Sequence, residues 1–344
     1  MATETTLATV QDVRAAEPRI REYLSPAPLI RSYALEQELG LAPGRCVWLK
    51  DYGWTPTGSF KVMGALNWVH QNRDRIGDRA VTAHSSGNFA SGLSFACKQF
   101  GKRAIIVMPD NAPQVKFNLT RFFGAEIETY DIANDHVTGE RNRLAEKIAQ
   151  EADAVMASPY DDNHVIAGNG VGGLEITGAL DSLGRRLSHF VCGVSGGGLM
   201  SGHLLSIADS FPEAKMIAVE PDGADDFAQS LASGQRVSIE LPTSICDGLL
   251  SYDVGEHNWP ILRRYVTQSL TIADAKTIDA MRWVYCHHGL RIEPSGAITI
   301  ASLLSGKIDL RGDGDIVAVI SGRNIDDQQF VKYLSDTSDD SSPA

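Results

Sequence analysis

Lys61 is the residue whose type and setting point most directly to chemistry. It lies in the segment Thr57-Gly58-Ser59-Phe60-Lys61, where Pro56 and Gly58 precede an apolar pattern typical of a helix. The spacing predicts Ser59 near the N-cap of that helix and Lys61 in its first turn, where backbone N–H groups lack partners. The positive end of the helix dipole disfavours the ammonium form of a lysine there. The neutral amine adds to a carbonyl carbon and forms a Schiff base, so the segment predicts carbonyl chemistry.

A second loop with convergent polar groups is His84-Ser85-Ser86-Gly87-Asn88, which follows a strand-like segment and opens a predicted helix. Backbone N–H groups and hydroxyls meet at such a helix N-terminus, where a carboxylate can bind. An ordinary helix cap explains an isolated Ser-Gly-Asn equally well. The loop gains meaning only together with the other motifs.

The glycine-rich loop Gly193-Val194-Ser195-Gly196-Gly197-Gly198-Leu199 also follows an apolar strand and opens a helix. Its bare backbone suits a phosphate, because N–H groups and the positive end of the helix dipole face the anion. No Gly-Lys-Ser/Thr follows, as a P-loop requires, and the glycine spacing is not that of a Rossmann fingerprint. The loop therefore predicts a phosphate site of another kind.

The same loop keeps a serine hydrolase open as a rival interpretation. Gly193, Ser195 and Gly197 satisfy the G-x-S-x-G pattern of a nucleophile elbow. The rival would use Ser195 with a later aspartate and one of the histidines His257, His287 and His288. No His-Gly oxyanion motif precedes the loop, which weighs against this interpretation.

Two more strand ends carry polar side chains. The apolar run Val317-Ala318-Val319-Ile320 ends at Ser321, and Ile217-Ala218-Val219 runs into the acidic turn between Glu220 and Asp226. A serine at a strand end is common, and acidic turns are usually helix N-caps. An oxygen-rich turn is also the kind of site that binds a divalent cation.

Strand-like and helix-like segments alternate along most of the chain. Strands are predicted at 46–50, 80–83, 103–108, 126–130, 187–194, 214–219 and 316–320, with helices between them at 90–100, 115–123, 138–152, 166–183, 199–210 and 278–288. Parallel neighbours need a crossover, and a helix supplies it. The pattern predicts two α/β units with parallel sheets, and a ligand cleft between them.

Taken together, these motifs resemble those of fold-type II pyridoxal-phosphate (PLP) enzymes of the serine/threonine dehydratase family. The His-Ser-Ser-Gly-Asn form is most similar to the serine racemase and 3-hydroxyaspartate ammonia-lyase branch. The resemblance spans roughly Val10 to Leu334. It implies a tryptophan synthase β-like α/β fold with two open parallel-sheet domains and the cofactor in the cleft. The large PLP-binding domain would comprise residues 1–80 and 158–334, with a small domain, 81–157, inserted in it.

The resemblance also implies a role for each motif. Lys61 would carry PLP and move the α-proton, and Ser86 would face the substrate from the opposite side. Asn88 would contact the phenolic oxygen of PLP, and Ser321 its pyridine nitrogen. The phosphate would lie on Ser195, Gly196, Gly197, Gly198 and Leu199, and the substrate carboxylate on Ser85, Ser86, Gly87 and Asn88. Glu220, the Ala224 carbonyl and Asp226 would bind Mg²⁺, Mn²⁺ or Ca²⁺.

The activity that the resemblance implies is a PLP-dependent ammonia-lyase, a dehydratase that converts a 3-hydroxy amino acid to a 2-oxo acid and ammonia by α,β-elimination. Racemisation between Lys61 and Ser86 and β-replacement are the alternatives within PLP chemistry. A catalytically silent amino-acid-binding protein is an alternative outside it. The substrates that the resemblance implies are serine, threonine, 3-hydroxyaspartate or a bulkier analogue. Met63 and Phe89 stand where relatives usually have arginine and histidine, which favours an unusual or bulkier substrate over serine or threonine.

Composition sets the class of protein. The chain has 344 residues, a net charge of −12 and 43% hydrophobic residues, so we expect globular cores and no nucleic-acid or anionic membrane partner. Five scattered cysteines predict reduced thiols. We expect a cytoplasmic homodimer acting on a small amino acid in catabolism, and a disordered acidic tail at 335–344.

Overall fold

A computed structural model of the protein describes residues 6–85 and 87–335. Ser86 and residues 336–344 lie outside the described residues. The predicted role of Ser86 and nearly all of the predicted tail therefore have no structural account here. Ser335, the first residue of that tail, is the last residue of a helix.

The chain contains two separate β-sheets, each packed against α-helices. The strands are β1 (Leu29–Arg31), β2 (Val47–Asp51), β3 (Val81–His84), β4 (Ala104–Pro109), β5 (Glu126–Tyr130), β6 (Val155–Met156), β7 (Leu187–Gly193), β8 (Lys215–Pro221), β9 (Gln268–Ile272) and β10 (Asp315–Ile320). The larger sheet has the order β1-β2-β10-β7-β8-β9, and the smaller one has the order β5-β4-β3-β6. All pairs are parallel except β1 with β2.

Helices connect the strands and cover both sheets. They are α1 (Val10–Arg21), α2 (Tyr33–Glu38), α3 (Lys61–Ile76), α4 (Asn88–Gln99), α5 (Gln114–Phe122), α6 (Asp135–Thr138), α7 (Glu140–Glu151), α8 (Asn163–Ser182), α9 (Gly198–Ser210), α10 (Asp226–Ser233), α11 (Asn258–Tyr265), α12 (Asp274–His288), α13 (Pro294–Leu304) and α14 (Asp327–Ser335). Among the described residues, no helix is both long enough and apolar enough to span a membrane.

The predicted parallel α/β class is confirmed, and the central strands show why. Strands β4 and β10 are buried along their whole length, because helices cover both faces of a parallel sheet. Three short or half-buried strands, β1, β6 and β9, were missed in the sequence. The four strands of the smaller sheet all lie in the segment that we expect to be an inserted domain, and those domain boundaries stay a prediction.

Helices α8 and α9 pack so closely that their backbones touch. A Cβ on Gly170 would come within 2.7 Å of the Gly202 carbonyl oxygen, and a Cβ on Gly202 would collide with the Ile166 carbonyl. Only glycine allows this approach. The contact fixes the position of α9 against α8. The glycine-rich loop leads into the N-terminus of α9, so the contact also helps to fix that loop.

The predicted functional loops all follow the carboxyl ends of strands. The lysine segment follows β2, the 84–88 loop follows β3, the glycine-rich loop follows β7, and Ser321 follows β10. In open parallel α/β sheets ligands bind outside these ends. The topology therefore brings four separated motifs to one place.

Candidate active site

A cavity of about 570 Å³ lies where the four loops meet. Its lining includes each described residue for which the sequence predicts a catalytic, cofactor or substrate role, namely Lys61, Ser85, Gly87, Asn88, Ser195, Gly196, Gly197, Gly198, Leu199 and Ser321. The cavity is large enough for a cofactor and a small substrate together.

Lys61 is the first residue of α3 and a partly buried residue in the lining of this cavity. Its Nζ donates a hydrogen bond to the Pro159 carbonyl at 3.0 Å. The rings of Phe60 and Phe89 lie 5.2 and 5.9 Å from Nζ. Burial lowers the pKa of the Lys61 ammonium to about 8, because removal from water penalises the charged form. Ser59 does not cap the helix; Phe60 holds the N-cap position and makes no side-chain cap.

The glycine-rich loop forms the opposite end of the cavity. A Cβ on Gly196 would collide with the ring of Tyr160, and Gly197 has a left-handed φ of 95°. The bare backbone is therefore required both by packing and by conformation. The first N–H groups of α9 have no partner within the helix and open onto the cavity. This end suits a phosphate group.

Ser195 is not arranged as a hydrolase nucleophile. Its hydroxyl bonds the Ser251 hydroxyl. Within the described part of the chain none of the three candidate histidines bonds Ser195: His257 faces Asp161, His287 stacks on Trp283, and His288 bonds Ser32. A triad needs a base in hydrogen-bond reach of the nucleophile, so the geometry does not support the serine hydrolase.

The loop after β3 presents Ser85 and Asn88 to the cavity. Ser85 Oγ accepts a hydrogen bond from the Gly87 amide at 3.2 Å. Asn88 begins α4, and its side-chain amide bonds Glu293 and Asn324. The loop offers a helix N-terminus and two oriented polar side chains to an anionic ligand.

Ser321 lies directly after β10 and faces the cavity with a nearly buried hydroxyl. That hydroxyl donates a 3.1 Å hydrogen bond to the Ser295 carbonyl. While the Ser321 hydroxyl donates this bond, its oxygen can still accept a hydrogen bond. It can donate to another acceptor only if the hydroxyl rotates away from the Ser295 carbonyl. The structure therefore offers the neutral hydroxyl of Ser321 to the cavity directly after β10.

An ionic cluster that was not predicted from the sequence lies in the cavity wall and is formed by Lys116, Asp247 and Glu293. Lys116 Nζ lies 2.5 Å from Asp247 Oδ2 and 3.2 Å from Glu293 Oε2. Burial alone would lower the pKa of Lys116, and the two carboxylates outweigh burial and raise that pKa. No local motif announces the cluster, because its members come from three distant segments. Lys116 is a permanent cation and is not suited to be a base.

The wall that the smaller sheet contributes contains Arg141, which was also missed. Its Nε lies 3.2 Å from the buried Asp135 carboxylate, and its guanidinium lies 4.6 Å from the centre of the Tyr252 ring. Tyr130, Ile132 and Leu250 supply apolar surface nearby. These residues line the same cavity as Lys61.

The two residues that depart from the usual family pattern have different surroundings. Phe89 lines the cavity beside Lys61. Met63 is buried in the hydrophobic core and is not among the described residues that line the cavity. Only Phe89 therefore bears directly on the chemistry at the amine.

The acidic turn lies away from the cavity lining. Both Glu220 oxygens accept backbone N–H groups, from Phe227 at 3.0 Å and Ala228 at 2.8 Å. Asp226 Oδ2 is buried without a hydrogen-bond partner. Burial raises the pKa of Glu220 well above its ordinary value and that of Asp226 to about 7. The described residues contain no group of three or more His, Cys, Asp or Glu side chains placed to hold a metal; the predicted set has two such side chains and a carbonyl.

The buried amine, the phosphate-sized glycine cradle and the space between them fit the requirements of PLP. Fold and site together define an α/β enzyme of carbonyl chemistry. A family model described as "Pyridoxal-phosphate dependent enzyme" matches residues 20–322. The chain therefore belongs to this family, and its fold is that of the fold-type II members.

Several characterised proteins are similar over nearly their whole length. An L-threo-3-hydroxyaspartate ammonia-lyase of Pseudomonas sp is 32% identical over 331 residues, covering 95% of this chain and 99% of its own. A serine racemase of Schizosaccharomyces pombe is 30% identical, covering 97% and 100%. The solved structure of maize serine racemase superposes with a TM-score of 0.87 at 29% identity, covering 96% and 97%.

Proposed function

We propose that the protein is a PLP-dependent ammonia-lyase that converts a 3-hydroxy amino acid to a 2-oxo acid and ammonia. The observation that carries the proposal is the buried Lys61 amine, with its lowered pKa, in one cavity with the glycine-rich loop. The similarity to a 3-hydroxyaspartate ammonia-lyase supports elimination. The similarity to serine racemases keeps racemisation as the alternative.

The residues present divide the work of holding PLP. Lys61 would bind it covalently, the N-terminus of α9 with Ser195 to Leu199 would bind its phosphate, and Ser321 would face its ring nitrogen. When bound, PLP supplies the electron-withdrawing ring that makes the α-hydrogen of an amino acid acidic. A serine hydroxyl does not hold a proton on that nitrogen as an aspartate does, which favours loss of a β-substituent over transamination.

The chain's own groups position the substrate and move its proton. The Ser85 and Gly87 loop would bind the α-carboxylate, and Asn88 would orient the cofactor beside it. The Lys61 amine would take the α-proton, since burial lowers its pKa to about 8 and so raises the fraction of neutral amine near pH 7. Phe89 excludes water from the same side. We propose Ser86 as the group on the opposite face, on the resemblance alone.

We propose a substrate larger than serine. The cavity volume and the apolar wall of Tyr130, Ile132 and Leu250 leave room beside the cofactor. The paired Arg141 and Asp135 present a polar edge to the end of that space. The test is a panel of serine, threonine, 3-hydroxyaspartate and phenylserine, scored for 2-oxo acid and for inversion at Cα. If inversion at Cα is faster than 2-oxo acid release on every substrate, the proposed ammonia-lyase activity is wrong and the protein is a racemase.

The lowered pKa of Lys61 predicts how the apoprotein takes up PLP. Only the neutral amine reacts, and at pH 7 a lysine of pKa about 8 is about 10% neutral, against about 0.03% for an ordinary one. The rate of reconstitution, followed by the visible absorbance of bound PLP, should rise with pH and level off above about 8. A rate that still climbs tenfold per unit between pH 8.5 and 9.5 would contradict the burial of Lys61.

The acidic turn is proposed as a divalent-cation site formed by Glu220, the Ala224 carbonyl and Asp226. The unpartnered Asp226 oxygen supports the proposal. A cation that binds the native state alone stabilises it by about 2.7 kcal/mol at 100 times its Kd. EDTA should lower the melting temperature, and Mg²⁺, Mn²⁺ or Ca²⁺ should restore it in the wild type and not in Asp226→Asn. Equal melting curves with and without cation would leave the turn as a cap of α10.

We further propose that the protein works in the cytoplasm as a homodimer on a small amino acid in catabolism. Its acidic net charge and the absence of a basic block support a small-molecule partner. Sedimentation of the holoenzyme tests the dimer, since the described surface includes large exposed apolar side chains such as Trp54 and Phe122.

A further inference from the structure

Three hydrogen bonds and one ion pair form a continuous chain beside the cavity. The hydrogen bonds run from the Thr57 carbonyl in the lysine segment through Asn324 and Asn88 to Glu293, and the ion pair joins Glu293 to Lys116. Asn324, Glu293 and Lys116 are buried. The side-chain amides of Asn324 and Asn88 therefore lie between a group that can only accept hydrogen bonds, the Thr57 carbonyl, and one that can only donate them, the Lys116 ammonium.

The polarity of the two ends decides which way each amide points. The Thr57 carbonyl can only accept, and Asn324 Nδ2 donates to it at 2.8 Å. The second hydrogen of the same Nδ2 serves Asn88 Oδ1, also at 2.8 Å. Both hydrogens of Asn324 are then used, and Asn88 must keep its oxygen toward Asn324.

The other end gives the same orientation independently. Glu293 Oε1 lies 2.7 Å from Asn88 Nδ2, and the Lys116 ammonium lies 3.2 Å from Glu293 Oε2. Burial raises the pKa of Glu293 and the adjacent Lys116 ammonium opposes that shift by favouring the carboxylate form. In that form Glu293 can only accept from Asn88. A turned-over Asn88 would set oxygen against oxygen at Glu293 and nitrogen against nitrogen at Asn324.

We infer that Asn324 and Glu293 are positioning residues that lock the Asn88 amide, so that one N–H of its Nδ2 is always offered to the cavity. Asn88 Nδ2 has two hydrogens, and one serves Glu293. The other has no acceptor among the residues that the structure describes, and Asn88 lines the cavity. The inference rests on the proposed function, in which this N–H meets the phenolic oxygen of PLP. A hydrogen bond to that oxygen favours its anionic form.

Two isosteric variants reverse the polarity at each end. Asn324→Asp replaces the donating nitrogen by an oxygen that opposes Asn88 Oδ1. In Glu293→Gln, the Lys116 ammonium binds the new amide oxygen, so that the glutamine nitrogen faces Asn88 Nδ2. Each change removes the lock while it keeps the shape of the side chain. The matched control is Asn72→Asp, a similarly buried asparagine of α3 whose Nδ2 donates to the Trp68 carbonyl.

The experiment measures the Kd of PLP for each apoprotein and the ratio of the long- to the short-wavelength absorbance bands of bound PLP. We expect Asn324→Asp and Glu293→Gln to raise Kd by about tenfold or more, the ratio expected for a lost hydrogen bond to a charged group. Both should lower the band ratio, and Asn72→Asp should change neither. Wild-type Kd and band ratio in the two variants would overturn the inference. Absence of any PLP band in the wild type would instead overturn the proposed function.

Discussion

Lys61→Ala should reduce 2-oxo acid formation by at least about 10³-fold and abolish the visible absorbance of bound PLP. The reason is twofold: the variant lacks the amine that would hold PLP, and it lacks the base that would take the α-proton, a role worth about 10²–10⁴-fold by itself. Folding should survive, because among the residues that the structure describes the Lys61 side chain makes no ion pair and a single hydrogen bond, to the Pro159 carbonyl. Turnover and the absorption spectrum of the purified variant, after incubation with excess PLP, provide the measurement.

Two comparisons make that result specific. Lys61→Arg keeps a cation of similar length and should be as inactive as the alanine variant, because a guanidinium is never neutral in a protein. Lys98→Ala removes an exposed lysine from α4 and should leave spectrum and turnover unchanged. Deamination by Lys61→Ala at a rate close to that of the wild type would remove the basis of the proposed function.

Lys116→Met should be the most destabilising single substitution in the cavity wall, with a loss of about 3–5 kcal/mol in the free energy of unfolding. Methionine fills a similar volume, so the loss comes from charge. It leaves the Asp247 and Glu293 carboxylates next to each other with no cation, and Glu293 is fully buried. Breaking a buried ion pair from one side costs this much because the remaining charge stays desolvated. Urea unfolding of the apoprotein measures it without the contribution of PLP.

A second substitution separates charge from packing. Lys116→Met combined with Glu293→Gln removes one of the stranded charges and should recover part of the lost stability. Lys98→Met, at an exposed position, should cost less than about 0.5 kcal/mol. If the double variant is less stable than Lys116→Met by the full cost of Glu293→Gln alone, the two side chains do not interact and the cluster has been misjudged.

Local patterns were sufficient for much of the fold. Lys61, the 84–88 loop and the glycine-rich loop each follow a strand and open a helix, and such junctions are visible as a short apolar run followed by glycine or small polar residues. The order of the strands was not visible. Strand β2 pairs with β10, over 260 positions later in the chain, and no pattern within either strand specifies a partner so distant.

Those parts of the site that lie within one continuous segment could be predicted from the sequence. Those parts that combine residues from distant segments could not. Lys116 lies in α5 and Glu293 is the N-cap residue of α13, and only the folded chain brings their charged atoms to 3.2 Å. Asp247 sits in a short turn whose sequence resembles many others. A buried charge is tolerated only when the fold places an opposite charge beside it. The sequence alone does not indicate which distant residue supplies that opposite charge.

The backbone contact between α8 and α9 has a consequence for anyone who wishes to redesign the enzyme. With no side chain between Gly170 and Gly202, the two helices have nothing to repack at this crossing, so a side chain at either glycine should displace α9 together with the loop at its N-terminal end. Mutant libraries that vary these two glycines should therefore contain mostly inactive members. Productive diversity lies on the other half of the cavity, at Ile132, Leu241 and Leu250, where exposed or loop-borne side chains can change size while the anion-binding end stays where it is.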